Sequence, residues 1–205
     1  MKKLERKFNV WLTDRSDDAA SFGNPRHDVS APDGISPVFL AGQGAPDPVG
    51  VARIRCPKLR RLYEYWRSKC AGDRLPSRRD IDPTEIPDIL PQIFLIDVQR
   101  DPLRFRFRLV GTTVCRLAGR DATGMYLDDR ETYGEHGPVI IDAHQSVVAS
   151  RQPRYSQQYA PWYGREYRYY ERLVMPLAGD GQEVRMLLGG LALLARPEVP
   201  DHAPA

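Results

Sequence analysis

Residues 92 to 127 carry two hydrophobic rhythms in succession. Ile93, Phe94, Leu95, Ile96 and Val98 form an apolar run, whereas Leu103, Phe105, Phe107 and Leu109 alternate strictly with Arg104, Arg106 and Arg108. The run predicts a buried strand and the alternation a half-exposed one. Between them Gln99-Arg100-Asp101-Pro102 has turn chemistry, since Asp bonds its own backbone and Pro presets φ, so the strands are expected to pair as an antiparallel hairpin. The period of two breaks at Gly111. Beyond it Thr112 or Thr113 is expected to cap a short helix carrying Val114 and Leu117, with Gly119 closing it in the left-handed conformation and Gly124 punctuating before Met125, Tyr126 and Leu127.

The flanks follow other periods. In residues 57–72, Leu59, Leu62, Tyr63, Trp66 and Cys70 fall on one helical face and Arg60, Arg61, Glu64, Arg67 and Lys69 on the other, with Pro57 suited to the first turn. Asp82-Pro83-Thr84-Glu85 is a capping arrangement for one short helix, Glu85 being expected to reach back to free backbone amides. From Gly137 onward, Ile140, Ile141, His144, Val147, Val148 and Arg151 share a face and predict a long helix that Pro153 ends. Three more strands are predicted at residues 154–162, 165–177 and 183–195, the last apolar on both faces and therefore expected in mid-sheet.

Residues 13 to 57 interrupt this regularity with six prolines and little apolar periodicity, so residues 1–56 are expected to be a disordered or weakly ordered leader. Residues 197–205 are expected to be a flexible tail. With 41% hydrophobic residues in 205, the chain suits one domain with a core. A net charge of +3 gives no global basic field of the kind nucleic-acid binders use. Cys56, Cys70 and Cys115 are odd in number and lack a Cys-x-x-Cys spacing, which argues against a disulfide framework and a structural zinc site. No segment has signal-peptide form or approaches eighteen apolar residues in a row. A soluble, cytoplasmic protein is expected.

Strand, turn, strand, short helices and glycine punctuation, closed by YERLVMPLAGDGQEVRMLLGGLALL as a terminal hairpin, resemble a PAS sensor domain. LYEYWRSK, RLPSRRDIDPTEIPDILPQIFLIDV, FRFRLVGT and ERLVMPL are together similar to a bacterial family of stand-alone PAS proteins, long described as a domain of unknown function. The resemblance covers about residues 57 to 196. It implies an α+β PAS fold: a five-stranded antiparallel sheet with helices across one face and an N-terminal flanking helix at 57–72. Such a helix packs on the outer face of the sheet or against its twin, so Leu59, Leu62, Tyr63 and Trp66 are the candidate interface of a homodimer.

Catalytic patterns are missing from the sequence: it has no phosphate loop, no Gly-x-Ser-x-Gly elbow and no His-Glu-x-x-His. Asp82 and Glu85 are explained by capping. Cys115-Arg116-Leu117 faintly resembles the flavin-adduct motif of photosensory PAS relatives but lacks its context, leaving a plain buried thiol as the expectation. His144, on the apolar side of the long helix, stands where haem-binding PAS relatives place an axial ligand; a core histidine bonded to a carbonyl or a tyrosine is the commoner role. Arg104, Arg106 and Arg108 suit either phosphate contact or protection of an edge strand.

These observations lead to a non-enzymatic sensory or regulatory module, signalling in trans by ligand-dependent protein–protein interaction. Its expected ligand site is lined by Phe105, Phe107, Leu117, Tyr126, His144, Val148 and Tyr169, with no catalytic or metal-binding residue. The site is expected to be filled by side chains or to hold a small uncoloured metabolite, the cofactor being unknown. The competing readings are a haem-based gas or redox sensor using His144, a small-molecule enzyme and a nucleic-acid-binding protein.

Overall fold

The computed structural model describes residues 49, 51–129, 133, 137–160, 168–179 and 182–194. The expectations for residues 1–48 and for the tail lie outside the described residues. Five strands form one antiparallel sheet: β1 Ile93–Gln99, β2 Arg104–Val110, β3 Arg154–Ala160, β4 Arg168–Ala178 and β5 Val184–Leu193. Their order is β2-β1-β5-β4-β3. The doubly apolar β5 therefore lies in mid-sheet, as its pattern predicts.

Register assigns the faces, because residues paired across strands share a side of the sheet. Ile93 pairs with Gly190 and Gly190 with Leu173, which defines an outer face. On it lies α1, Pro57–Ser68: a Cβ built at Gly190 would sit 2.6 Å from Leu59 Cδ2 and 2.7 Å from Leu62 Cδ2. The indole of Trp66 donates to the carbonyl of Pro176 at 2.9 Å, fixing the helix along the sheet. Phe94 pairs with Gly189 and Gly189 with Val174 on the opposite, inner face. Phe94 fills the space above Gly189 with its ring, so a side chain there would collide with it.

Two helices follow the hairpin, α2 at Thr112–Ala118 and α3 at Gly137–Ser150. Gly111 is the N-cap of α2, where a threonine was expected, and the position has no room for a side chain, since three backbone carbonyl oxygens would lie within 2.7 Å of its Cβ. Gly119 closes α2 at φ 76°, as its position suggests. Asp82 caps a single 3-10 turn, Pro83–Glu85, by accepting from the Thr84 amide. Glu85 pairs instead with Lys69 Nζ at 2.6 Å, and the reciprocal capping box forms at Ser77 and Asp80.

The end of the expected leader also departs from its expectation. Val51–Arg53 form a 3-10 turn, and Val49 and Ile54 are buried. Among the described residues no helix is long and apolar enough to cross a membrane.

Candidate functional site

Alternation along β2 turns Phe105 and Phe107 toward the inner face and leaves the arginines outside. There the Phe105 and His144 rings lie 5.7 Å apart, and Phe107 meets Phe94 edge-on at 6.1 Å. Nδ1 of His144 donates to the Ile140 carbonyl at 2.6 Å, the previous helical turn. That bond fixes the tautomer and leaves Nε2 as an acceptor, buried and without a partner. On β4 the same parity sends Tyr170, Arg172 and Val174 inward, and all three are buried. Burial raises the Tyr170 pKa, with Arg172 opposing it, so the phenol keeps its proton. At the rim, exposed Arg154 donates to Ser146 Oγ of α3 at 2.9 Å.

The outer face carries a second polar cluster. Glu171 is fully buried, and its carboxylate accepts from the amides of Arg55 at 2.6 Å and Cys56 at 2.7 Å and from the Tyr155 hydroxyl at 2.6 Å. Tyr155 in turn accepts from Gln157 Nε2, whose carbonyl accepts from Tyr169. The cluster clamps the segment that leads into α1 against the sheet. Burial, first of all, and the bond to Glu171 raise the Tyr155 pKa, so this phenol stays a donor.

Residues 54–192 match the family model described as a PAS domain. The chain belongs to the PAS domain family. PAS domains are sensory domains, and the observed α+β sheet with its strand order is that fold. Among solved structures, the chain is similar to the Rhodobacter sphaeroides LOV protein, at 13% identity over 58% of this chain and 71% of that chain with TM-score 0.42. It is also similar to the PAS domain of Bordetella pertussis BvgS, at 18% identity over 55% and 82% with TM-score 0.42. A third is a sensory box sensor histidine kinase from Vibrio cholerae, at 13% identity over 54% and 87% with TM-score 0.40. No ligand or activity passes from these distant likenesses to this chain. Among curated proteins none matches.

Within this PAS domain the residues expected to line the site divide. Phe105 and His144 meet on the inner face, where Phe107 packs on Phe94, while Leu117 and Val148 are only half-buried. The buried side of α3 runs through Ile140, Ala143, His144 and Val147, rotated from the expected one. Tyr169 points to the outer face, where it bonds Gln157; its neighbour Tyr170 is the inward tyrosine. Tyr126 lies beyond β2 with the Arg104 guanidinium 3.8 Å from its ring centre.

Leu59, Leu62, Tyr63 and Trp66, the expected dimer interface, are at most 5% exposed within a single chain. The sheet has taken their apolar surface, so while α1 is docked they have none to offer a second copy. Cys115 is half-buried rather than buried. The arginines of β2 are engaged within the fold: Arg104 with Asp128 at 2.7 Å, Arg106 with the Gly124 carbonyl at 3.1 Å and Arg108 with Asp97 at 2.7 Å. Backbone bonds from the segment 124–127 to Phe105 and Phe107 cover the β2 edge. Sequence reasoning missed Arg172 and Glu171, two charges in the one strand that separates the two polar clusters.

Burial holds the His144 pKa down to about 3 from 6.5; the charge of Arg172 and, less, that of Arg154 add to the effect, and the bond to the Ile140 carbonyl opposes it. The unfolded chain therefore takes up this proton near 6.5 and the folded chain only near 3, so stability falls as pH drops through that interval. The lowered carboxylates Asp80, Asp82, Glu85 and Asp128 act below this window's upper half. Urea unfolding at pH 7.5 and pH 5 is expected to differ by about 2 kcal/mol, and by much less in His144→Leu. An equal difference in both proteins would assign the effect elsewhere.

Proposed function

We propose that this PAS domain is a cytoplasmic, non-enzymatic sensory module that holds a small uncoloured metabolite on its inner face. Occupancy is reported through the docked N-terminal segment, which alters binding to a protein partner in trans. One observation supports this above the others: Glu171 and Arg172 are adjacent in β4, so one clamps the flanking segment outside while the other lies on the inner face. A ligand that shifts the strand at Arg172 shifts the clamp with it. The engagement of Arg104, Arg106 and Arg108 within the fold weighs against phosphate contact as their role.

The haem reading has its own support, since the bare Nε2 of neutral His144 is the atom an axial ligand would use. Against it, the Phe105 ring lies 5.7 Å from the same imidazole, and Arg172 on the inner face adds positive charge. Purification from cells supplied with iron and haem precursor separates the readings. The expected product is colourless and releases a small metabolite on denaturation. A Soret band lost in His144→Ala would establish the haem sensor instead, and tight, salt-sensitive nucleic-acid retention would establish the nucleic-acid binder.

A further inference from the structure

The two edges of the sheet differ. On β2 the outward backbone groups belong to Phe105 and Phe107, and the chain itself takes them: the Phe107 amide donates to the Met125 carbonyl, while the Phe107 and Phe105 carbonyls accept from the Gly124 and Leu127 amides. β3, the other edge, pairs with β4 alone. The Tyr169 carbonyl accepts from the Leu194 amide, so along this stretch the odd-numbered residues of β4 aim their backbone groups at β5 and the even-numbered ones at β3. β3 runs in unbroken register from Arg154 opposite Val174 to Ala160 opposite Arg168, which spends its even-numbered residues on β4. Tyr155, Gln157 and Tyr159 therefore point their N–H and C=O groups away from the sheet. Among the described residues no hydrogen bond reaches these backbone groups.

Strand edges are commonly closed by a bulge, a proline, a central charge or a covering segment. Within its seven residues β3 has none of these: its pairing with β4 shows no irregularity, and Ser156, Gln157 and Gln158 at its centre are neutral. We propose that β3 is an interface with a second copy of this chain, the two β3 strands pairing antiparallel about a two-fold axis at Gln157. In that register Gln157 stands opposite its own copy and Tyr155 opposite Tyr159 of the other, so all three outward residues meet in pairs that exchange both N–H and C=O bonds. A shift of two residues toward the strand's start sets Tyr159 against Pro153, which has no N–H to give. The strand's single charge also suits the two-fold: Arg154 lies opposite Ala160, and the two arginines are roughly 20 Å apart, beyond the screening length of about 8 to 10 Å. Nothing is required of α1, whose apolar face the sheet already covers.

Sedimentation of the full chain, joined to amide hydrogen exchange at two concentrations, tests this. A dimer is expected at about 200 μM and a monomer at about 2 μM, and exchange at Tyr155, Gln157 and Tyr159 is expected to be at least about fivefold slower at the higher concentration, while Ser156 and Gln158 are protected at both. Tyr159→Pro removes an outward N–H and no ladder bond to β4, so it is expected to weaken the dimer at least about tenfold and to melt within about 2 °C of the parent. The exchange comparison needs only the parent chain and decides the question even if the proline variant does not fold. A monomer at about 200 μM overturns the proposal, as does a dimer in which the three amides exchange as fast as in the monomer. Protection of all three at both concentrations also overturns it, because another part of the chain would then cover the edge.

Discussion

Glu171→Ala is expected to destabilise the fold by about 3 kcal/mol or more, because three donors converge on one buried carboxylate and lose it together. The backbone amides of Arg55 and Cys56 cannot turn elsewhere while α1 stays docked, and the Tyr155 hydroxyl lies between them and Gln157. The segment therefore either leaves the sheet or stays with unsatisfied donors, and both cost free energy. Glu171→Gln keeps one acceptor oxygen but turns an N–H toward a donor, so it is expected to lose about half as much. Thermal melts check this: about 3 kcal/mol corresponds to a fall of roughly 6 to 12 °C for a chain of this size. A melting point within about 2 °C of the parent for Glu171→Ala would show that the clamp contributes little.

Gly111→Ala is expected to be comparably damaging for a different reason. Its Cβ would lie 2.5 Å from the Pro91 carbonyl oxygen, 2.6 Å from that of Leu90 and 2.7 Å from that of Ile93. These are backbone atoms of the 3-10 turn Leu90–Gln92 and of the first residue of β1, and they cannot swing aside as a side-chain tip does, so the cost is expected near the top of the overpacking range, about 3 kcal/mol. Gly119→Ala is the informative control. Nothing lies within 4 Å of its Cβ, but its φ of 76° strains any side chain, and a loss of about 1 kcal/mol is expected. Urea unfolding of the two variants separates collision from backbone strain; equal losses would contradict the crowding at Gly111.

The sheet was legible because period two is written plainly in β2 and the doubly apolar β5 has only mid-sheet to occupy. Gly111 and Gly119 were legible as punctuation. The interior chemistry was less so. In Arg168–Ala178 apolar residues stand on both parities, so nothing within the strand says whether Tyr169 or Tyr170 faces inward; only pairing with β5 decides it. Arg172 and Glu171 were passed over because a charged residue in a strand suggests the solvent side. A signal was nonetheless present: Arg172 shares its parity with Val174, and Glu171 with Leu173 and Met175, so neither parity is polar throughout. The apolar face of α1 was visible, but whether sheet or second copy would cover it depends on the space Gly190 leaves for Leu59 and Leu62.

The central claim is that β4 couples the inner face to the flanking segment. Amide hydrogen exchange at Arg55 and Cys56, compared between the parent and Arg172→Gln, tests it most directly, since the substitution touches only the inside and the amides report only the outside. Exchange at these two amides is expected to change by about tenfold or more, corresponding to about 1.4 kcal/mol in the opening of the clamp, while amides of β1 and β5 keep their protection. Unchanged exchange at Arg55 and Cys56 in a folded Arg172→Gln protein would contradict the coupling.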